Sequence, residues 1–295
     1  MRWILFIIPF LLLSCHTSKE KDPFILTQLE YFDAIGKNDI QLDPPKAGEW
    51  LFTHKEEGQT FEAYKKTNPI KPTTGKSVIY LMPVGDFTPL QEKALLLTRD
   101  YLAIFFQQKT VLLKAVSDSI IPASATRQQG DHLQLLAPYV VDSLLIDKTP
   151  QDGIALMAIS AKDLYPKNDW NYVFGLASYV KRVGVSSIYR LQNQRLDTAN
   201  FMLCLSRLIN ISSHEIGHMM SMHHCTFALC TMNGSNSLNE TDVSPNRLCS
   251  ECQKKLCWNF RYDSKQRLKQ LGEFCRGNGL QRDLEVLEAD GEAID

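Results

Sequence analysis

Two rhythms of apolar and polar residues run along this chain, and their order predicts an α/β domain. Ser77 to Met82 is a short continuous apolar run rich in β-formers, the pattern of a buried strand. From Pro89 to Phe106 the apolar positions take a helical spacing, with Leu90, Leu95, Leu97, Tyr101, Leu102, Ile104 and Phe105 in a stripe. Pro89 stands near its start, where a missing N–H costs nothing. Thr110 to Val116 reads as a second strand. Gln134 to Ile146 reads as a second helix, with Pro138 in its first turn. Asp152-Gly153 introduces a strand over Ile154 to Ile159. Tyr172 to Ser178 and Val183 to Tyr189 give two more, parted by a basic turn at Lys181 and Arg182. Strand, helix, strand, helix and three strands together argue for a mixed sheet. Asn200 is positioned to cap a further helix. Phe201, Leu205, Leu208, Ile209, Ser212 and Ile216 line one side of it, apolar enough to lie buried under the sheet. Residues 76–275 form the expected domain. Residues 16–75, punctuated by Pro44, Pro45, Pro69 and Pro72, read as a tether and irregular segment, and 276–295 as a tail.

The start of the chain breaks both rhythms. Arg2 precedes an unbroken apolar stretch from Trp3 to Leu13, too short to span a bilayer but of signal-peptide length. It ends in Leu12-Leu13-Ser14-Cys15, which resembles the lipobox of bacterial lipoproteins. That resemblance implies removal of the segment before Cys15, lipid on its thiol, and a lipid-anchored protein of the bacterial cell envelope. Composition adds little. Lys plus Arg is 32 and Asp plus Glu is 33, so nothing in the charge calls for a nucleic-acid partner. With 44% hydrophobic residues in 295, a full core needs no cross-links to form.

The chemistry concentrates in 214–252. His214-Glu215-Ile216-Gly217-His218 places two imidazoles four residues apart on one helix face, able to reach one metal. Glu215 points about 100° away around the axis, beside the metal, where a general base stands. Ile211, Ile216, Met219 and Met220 surround these residues, which a solvated face would not show. His224 follows His218 by six, and the run resembles the metzincins, in which a third His returns to the zinc after a tight turn. The turn residue is Ser221, where that pattern has Gly, and His223 is the competing third ligand. Three ligands leave a position open, the mark of a catalytic zinc. Cys225, Cys230, Cys249 and Cys252 form two close pairs, the spacing of a closed structural zinc, with disulfides or a Cys249/Cys252 redox pair as the rival reading. Of the other cysteines, Cys257 and Cys275 are candidates for a disulfide, and Cys204 for a buried apolar residue.

The joined run HEIGHMMSMHHCTFALCTM and CSEC resembles the archaemetzincins. The resemblance implies a metzincin-like zincin domain with an active-site helix and a compact helical C-terminal part containing the four-cysteine zinc. It implies two zinc ions, Met232 in a Met-turn beneath the catalytic one, and a metallopeptidase whose zinc-activated water cleaves peptide bonds with Glu215 as base. An extended substrate is expected along the strand at Val183 to Tyr189, with Tyr189, Arg190 or a Tyr on another loop as oxyanion donor. Three rivals stand beside it: an inactive zinc-stabilised peptide-binding lipoprotein, a thiol oxidoreductase using Cys249 and Cys252, and a zinc hydrolase of another amide.

Overall fold

The computed structural model describes residues 22–193 and 195–294, so Cys15 and the leader lie outside the described residues. From Pro23 onward the expected tether is instead part of the protein body. It holds short helices α1 (Pro23–Leu26), α2 (Leu29–Ile35), α3 (Trp50–Thr53) and α4 (Phe61–Lys66). Ile25, Tyr31, Phe32, Ile35 and Tyr64 from these helices join the main core. No stripe announces them because the longest, α2, has only 7 residues, under two full turns.

The chain then alternates as expected. β1 (Val78–Val84) leads to α5 (Pro89–Phe106), which Thr88 and Gln91 open with a reciprocal capping box and Gln107 closes in a left-handed conformation. After β2 (Thr110–Leu112) come β3 (Thr126–Gln129), β4 (His132–Leu136) and a helical turn, α6 (Ala137–Tyr139), continued as a π-turn to Leu144. The helix expected over Gln134–Ile146 is thus shorter, and its first residues are strand. Pro138 explains this, since an uninterrupted helix would drive its ring into the carbonyl of Gln134. β5 (Gly153–Ser160), β6 (Asp163–Tyr165), β7 (Gly175–Ala177) and β8 (Val183–Ser187) complete the strands.

The main sheet has the order β2-β1-β5-β8-β7, with β7 antiparallel to β8 and the other pairings parallel. A small second sheet, β3-β4-β6, was not foreseen. In register, Ile79 faces Ala155 and Leu81 faces Met157. These side chains, with Ile159, belong to the core that also takes in the helices α5 and α7 (Phe201–Met219). The alternate residues Met82, Val84, Leu156, Ala158, Val183 and Val185 pack instead with Val140, Val141 and Leu144. Because both faces are covered, β1 and β5 read as unbroken apolar runs. β8 lies inside the sheet between β5 and β7, so the outer edge expected of Val183–Tyr189 belongs to β7.

The rest is helical: α8 (Leu238–Val243), α9 (Ser250–Phe260), α10 (Ser264–Gly277) and α11 (Gln281–Ile294). α11 is no free tail. Leu284 and Leu287 are buried in the main core, and Asp290, at 0% exposure, pairs with Arg247. Arg247 also reaches Asp39, so one buried guanidinium ties both ends of the chain to the cysteine region. Cys257 and Cys275 are free thiols, each buried, so the disulfide suggested for them is absent. Cys204 is buried as expected.

Candidate functional site

α7 is buried along most of its length, and its last turns carry His214, Glu215 and His218. His214 Nδ1 donates to the Thr231 carbonyl (2.9 Å) and His218 Nδ1 to the Met222 carbonyl (2.7 Å). These bonds fix both tautomers, because a carbonyl oxygen only accepts. The two Nε2 atoms are therefore unprotonated when the rings are neutral, and they face each other at 2.9 Å. Burial keeps them neutral: the His214 imidazole is pushed down to about 3, first by burial and then by His224, and burial likewise pushes the His218 imidazole well below the ordinary range.

The helix ends as the third imidazole requires. Ser221 adopts φ +66°, its N–H donates to His218 O (2.8 Å), and the Met222 N–H returns to Gly217 O (3.0 Å). This is a left-handed helix stop, formed by Ser where Gly is the easier choice. Past it, the His224 ring comes to 5.2 Å from the His214 ring and 4.9 Å from the His218 ring. One nitrogen from each of these three residues lies within 4.8 Å of the others. His223 stays outside the cluster, exposed, with its ring against Tyr179.

Glu215 is buried under Gly175, so tightly that a Cβ on Gly175 would overlap its carboxyl group. Burial pushes that carboxyl up to about 8. It opens with the three imidazoles on a cleft of about 630 Å³, walled by Trp50, Trp170, Tyr172, Phe174 and Tyr179. Tyr189 and Arg190 do not line it. Tyr189 stacks on His132, and Arg190 forms an ion pair with buried Asp163. The tyrosines that face the cleft are Tyr172 and Tyr179. The Tyr179 hydroxyl sits 3.0 Å from His218 Nδ1 and is pushed up to about 12 by burial, so it stays a neutral phenol.

Met232 lies under the helix, fully buried, and Gly217 is what admits it: a Cβ there would fall 2.5 Å from the Met232 sulfur. The same loop carries Cys225 and Cys230, while Cys249 and Cys252 stand at the start of α9. Cys225, Cys230, Cys249 and Cys252 are all buried with their sulfurs within 4.8 Å of one another. The Cys225 and Cys249 sulfurs are 3.6 Å apart. A disulfide needs about 2.05 Å, whereas the edge of a tetrahedron with metal–sulfur bonds of about 2.3 Å is about 3.8 Å. The Met232 and Cys249 N–H groups point at the Cys230 sulfur (3.4 and 3.3 Å), donors suited to a thiolate.

Both donor sets fit a metal. Lone pairs opposed at 2.9 Å repel unless a cation shares them, and four packed sulfurs without a bond between them call for the same. Sequence reasoning missed Glu56, Trp50 and the two glycines. The first two lie far away in the chain, and a glycine shows its role only once its neighbours are placed.

Comparison with known proteins agrees with this geometry. Residues 137–257 match the model of "Peptidase family M54". Archaemetzincin-2 of Rattus norvegicus is 28% identical over 306 residues, covering 88% of this chain and 85% of its own. The archaemetzincin of Thermococcus kodakarensis is 36% identical over 109 residues, 37% of this chain and 58% of its own. The crystal structure of the archaemetzincin from Methanopyrus kandleri shares the fold, with a TM-score of 0.51, 23% identity, and coverage of 65% of this chain and 100% of that one. The chain is thus similar to the archaemetzincins over much of its length, and these matches indicate a zinc metallopeptidase.

Proposed function

We propose that the chain hydrolyses peptide bonds at the His214–His218–His224 cluster, with Glu215 as general base. One arrangement carries the reading: three imidazoles converge on one wall of a cleft, and a buried carboxyl opens beside them. His214, His218 and His224 would hold a zinc ion through the nitrogens turned toward one another. Bound there, zinc supplies a Lewis acid for the scissile carbonyl and lowers the pKa of a water to about 7. Glu215 accepts a proton from that water and passes it to the leaving amine. The wall of Trp50, Trp170 and Phe174 shields the reacting bond from bulk water and packs against apolar substrate side chains. β7, the last strand of its sheet, offers its free edge to an extended peptide.

The four cysteines would hold a second zinc that fixes the loop bearing His224 and Met232. Cys249 and Cys252 at 0% exposure have no access to a disulfide substrate, which argues against thiol exchange. The formed turn at Ser221 argues against an inactive module. The lipobox-like run ending at Cys15 supports anchoring to a membrane, which replacing Cys15 by Ser and following membrane association would test.

The test of the catalytic reading is metal content and peptide cleavage for the wild type and Glu215→Ala. Two zinc per chain in both, with cleavage lost only in the variant, is expected. One zinc per chain, or cleavage undiminished in Glu215→Ala, overturns it.

A further inference from the structure

The third imidazole differs from the others in what holds its Nδ1. His214 and His218 donate to backbone carbonyls 17 and 4 residues along the chain. His224 Nδ1 instead meets the two oxygens of Glu56 at 3.0 and 2.9 Å, from a residue 168 positions away. Glu56 does not stand alone. Trp50 Nε1 donates to it (3.1 Å), while the Trp50 N–H is anchored on Glu240 (2.7 Å) and its ring stacks on His54 at 3.9 Å.

The same segment grips the turn that delivers His224. Gln59 Nε2 donates to Ser221 O (3.0 Å), and its Oε1 accepts the His223 N–H (3.3 Å). The Tyr64 hydroxyl donates to Met220 O (2.9 Å) and accepts from Asn259 (2.6 Å). Gly58, at φ +72°, passes Thr226 so closely that a Cβ would strike its hydroxyl. Trp50, His54, Glu56, Gly58, Gln59 and Tyr64 all lie outside the matched stretch 137–257, whereas the turn they hold lies inside it.

We propose that residues 50–64 form a strap that completes the metal site, with Glu56 as the positioning residue for His224. A carboxylate accepting Nδ1–H fixes the tautomer that turns the Nε2 lone pair toward the cluster, and its charge makes the imidazole a stronger donor. Gln59 and Tyr64 hold the helix stop, so the strap sets both where His224 is and which way its ring faces. The inference rests on reading His224 as the third ligand.

The test uses the full metal-loaded chain and four variants: Glu56→Ala, Glu56→Gln, His224→Ala, and Glu57→Gln as an exposed neighbour. Two measurements are made. One is the zinc dissociation constant of the weaker site by chelator competition. The other is the visible spectrum of the cobalt-substituted protein. Glu56→Ala is expected to weaken that site about 10- to 100-fold and to shift its cobalt bands, with two metals still bound at saturation. Glu56→Gln keeps an acceptor and the side-chain shape, so it should fall between Glu56→Ala and wild type. The thiolate–cobalt bands of the cysteine site stay unchanged in both, and Glu57→Gln matches wild type. If both Glu56 variants match wild type in affinity and spectrum while His224→Ala loses a metal, the strap is overturned and the ligand assignment survives. If His224→Ala still binds two metals with an unchanged spectrum, the ligand assignment falls as well.

Discussion

Replacing Gly217 by Ala sets two physical rules against each other. In an ordinary helix interior the change stabilises by about 1 kcal/mol, because glycine loses more backbone freedom on folding. In α7 the new methyl would fall 2.5 Å from the Met232 sulfur and 3.0 Å from its terminal methyl. Comfortable contact is about 3.5–4.0 Å, so something must yield by about 1 Å. Met232 is fully buried, and its carbonyl is held by the Cys225 N–H at 2.7 Å, so retreat moves the loop. Overpacking of this kind costs about 1–3 kcal/mol, which leaves a net loss of about 0–2 kcal/mol after the helix gain. Activity is the sharper readout. Thr231, next to Met232, supplies the carbonyl that orients His214, and a 1 Å misplacement near reacting groups costs up to about 100-fold in rate. The expected result is a kcat/KM at least about tenfold lower, with a urea midpoint unchanged or lower. Adding Met232→Ala should restore part of the loss, since the two changes share one volume. A Gly217→Ala protein with a higher urea midpoint and full kcat/KM would refute the claim that Met232 is wedged under the helix.

Three further outcomes follow from the same geometry. Ser221→Gly relieves a left-handed serine at φ +66° but frees the unfolded chain, so its unfolding free energy from urea titration should change by no more than about 1 kcal/mol with cleavage retained. Ser221→Val should lower both, because a branched side chain fits that region worst. The four clustered cysteines, all buried, should resist a thiol reagent in the native protein. A chelator should abolish cleavage before those thiols become reactive, and simultaneous loss would deny that the two sites are separate. Asp290→Ala leaves buried Arg247 with half its partners and should cost about 3–5 kcal/mol by denaturant titration. A cost below about 1 kcal/mol would mean that α11 is dispensable.

The legible parts of the chain are those whose pattern is local. β1, β5, α5 and α7 stand out because each buries a long apolar surface, and His214, Glu215 and His218 because their spacing is one helical turn. The cysteine pairs are legible for the same reason. What misled was context. Gln134 to Leu136 carries enough apolar character for helix or strand, and only the placement of Pro138 decides. Val183 to Ser187 looks like any buried strand, and its interior position depends on β7 folding back outside it. Helices as short as α1 to α4 cannot complete a stripe. Glu56 carries no local signal, since its partner is 168 residues distant.

The three Nδ1 partners therefore form a series. His218 is oriented by Met222, within the turn that ends its own helix; His214 by Thr231, on the cysteine-bearing loop; His224 by Glu56, across the chain. Each step enlarges the part of the protein that must be folded before that nitrogen faces the cluster. Metal affinity and folding are then one linked equilibrium. A local event that undocks the N-terminal segment costs the site its third orienting contact and the Gln59 and Tyr64 hold on the turn, while His214 keeps its bond to Thr231. The zinc affinity of the histidine site, rather than its stoichiometry, is accordingly the quantity that reports whether the N-terminal segment is in place.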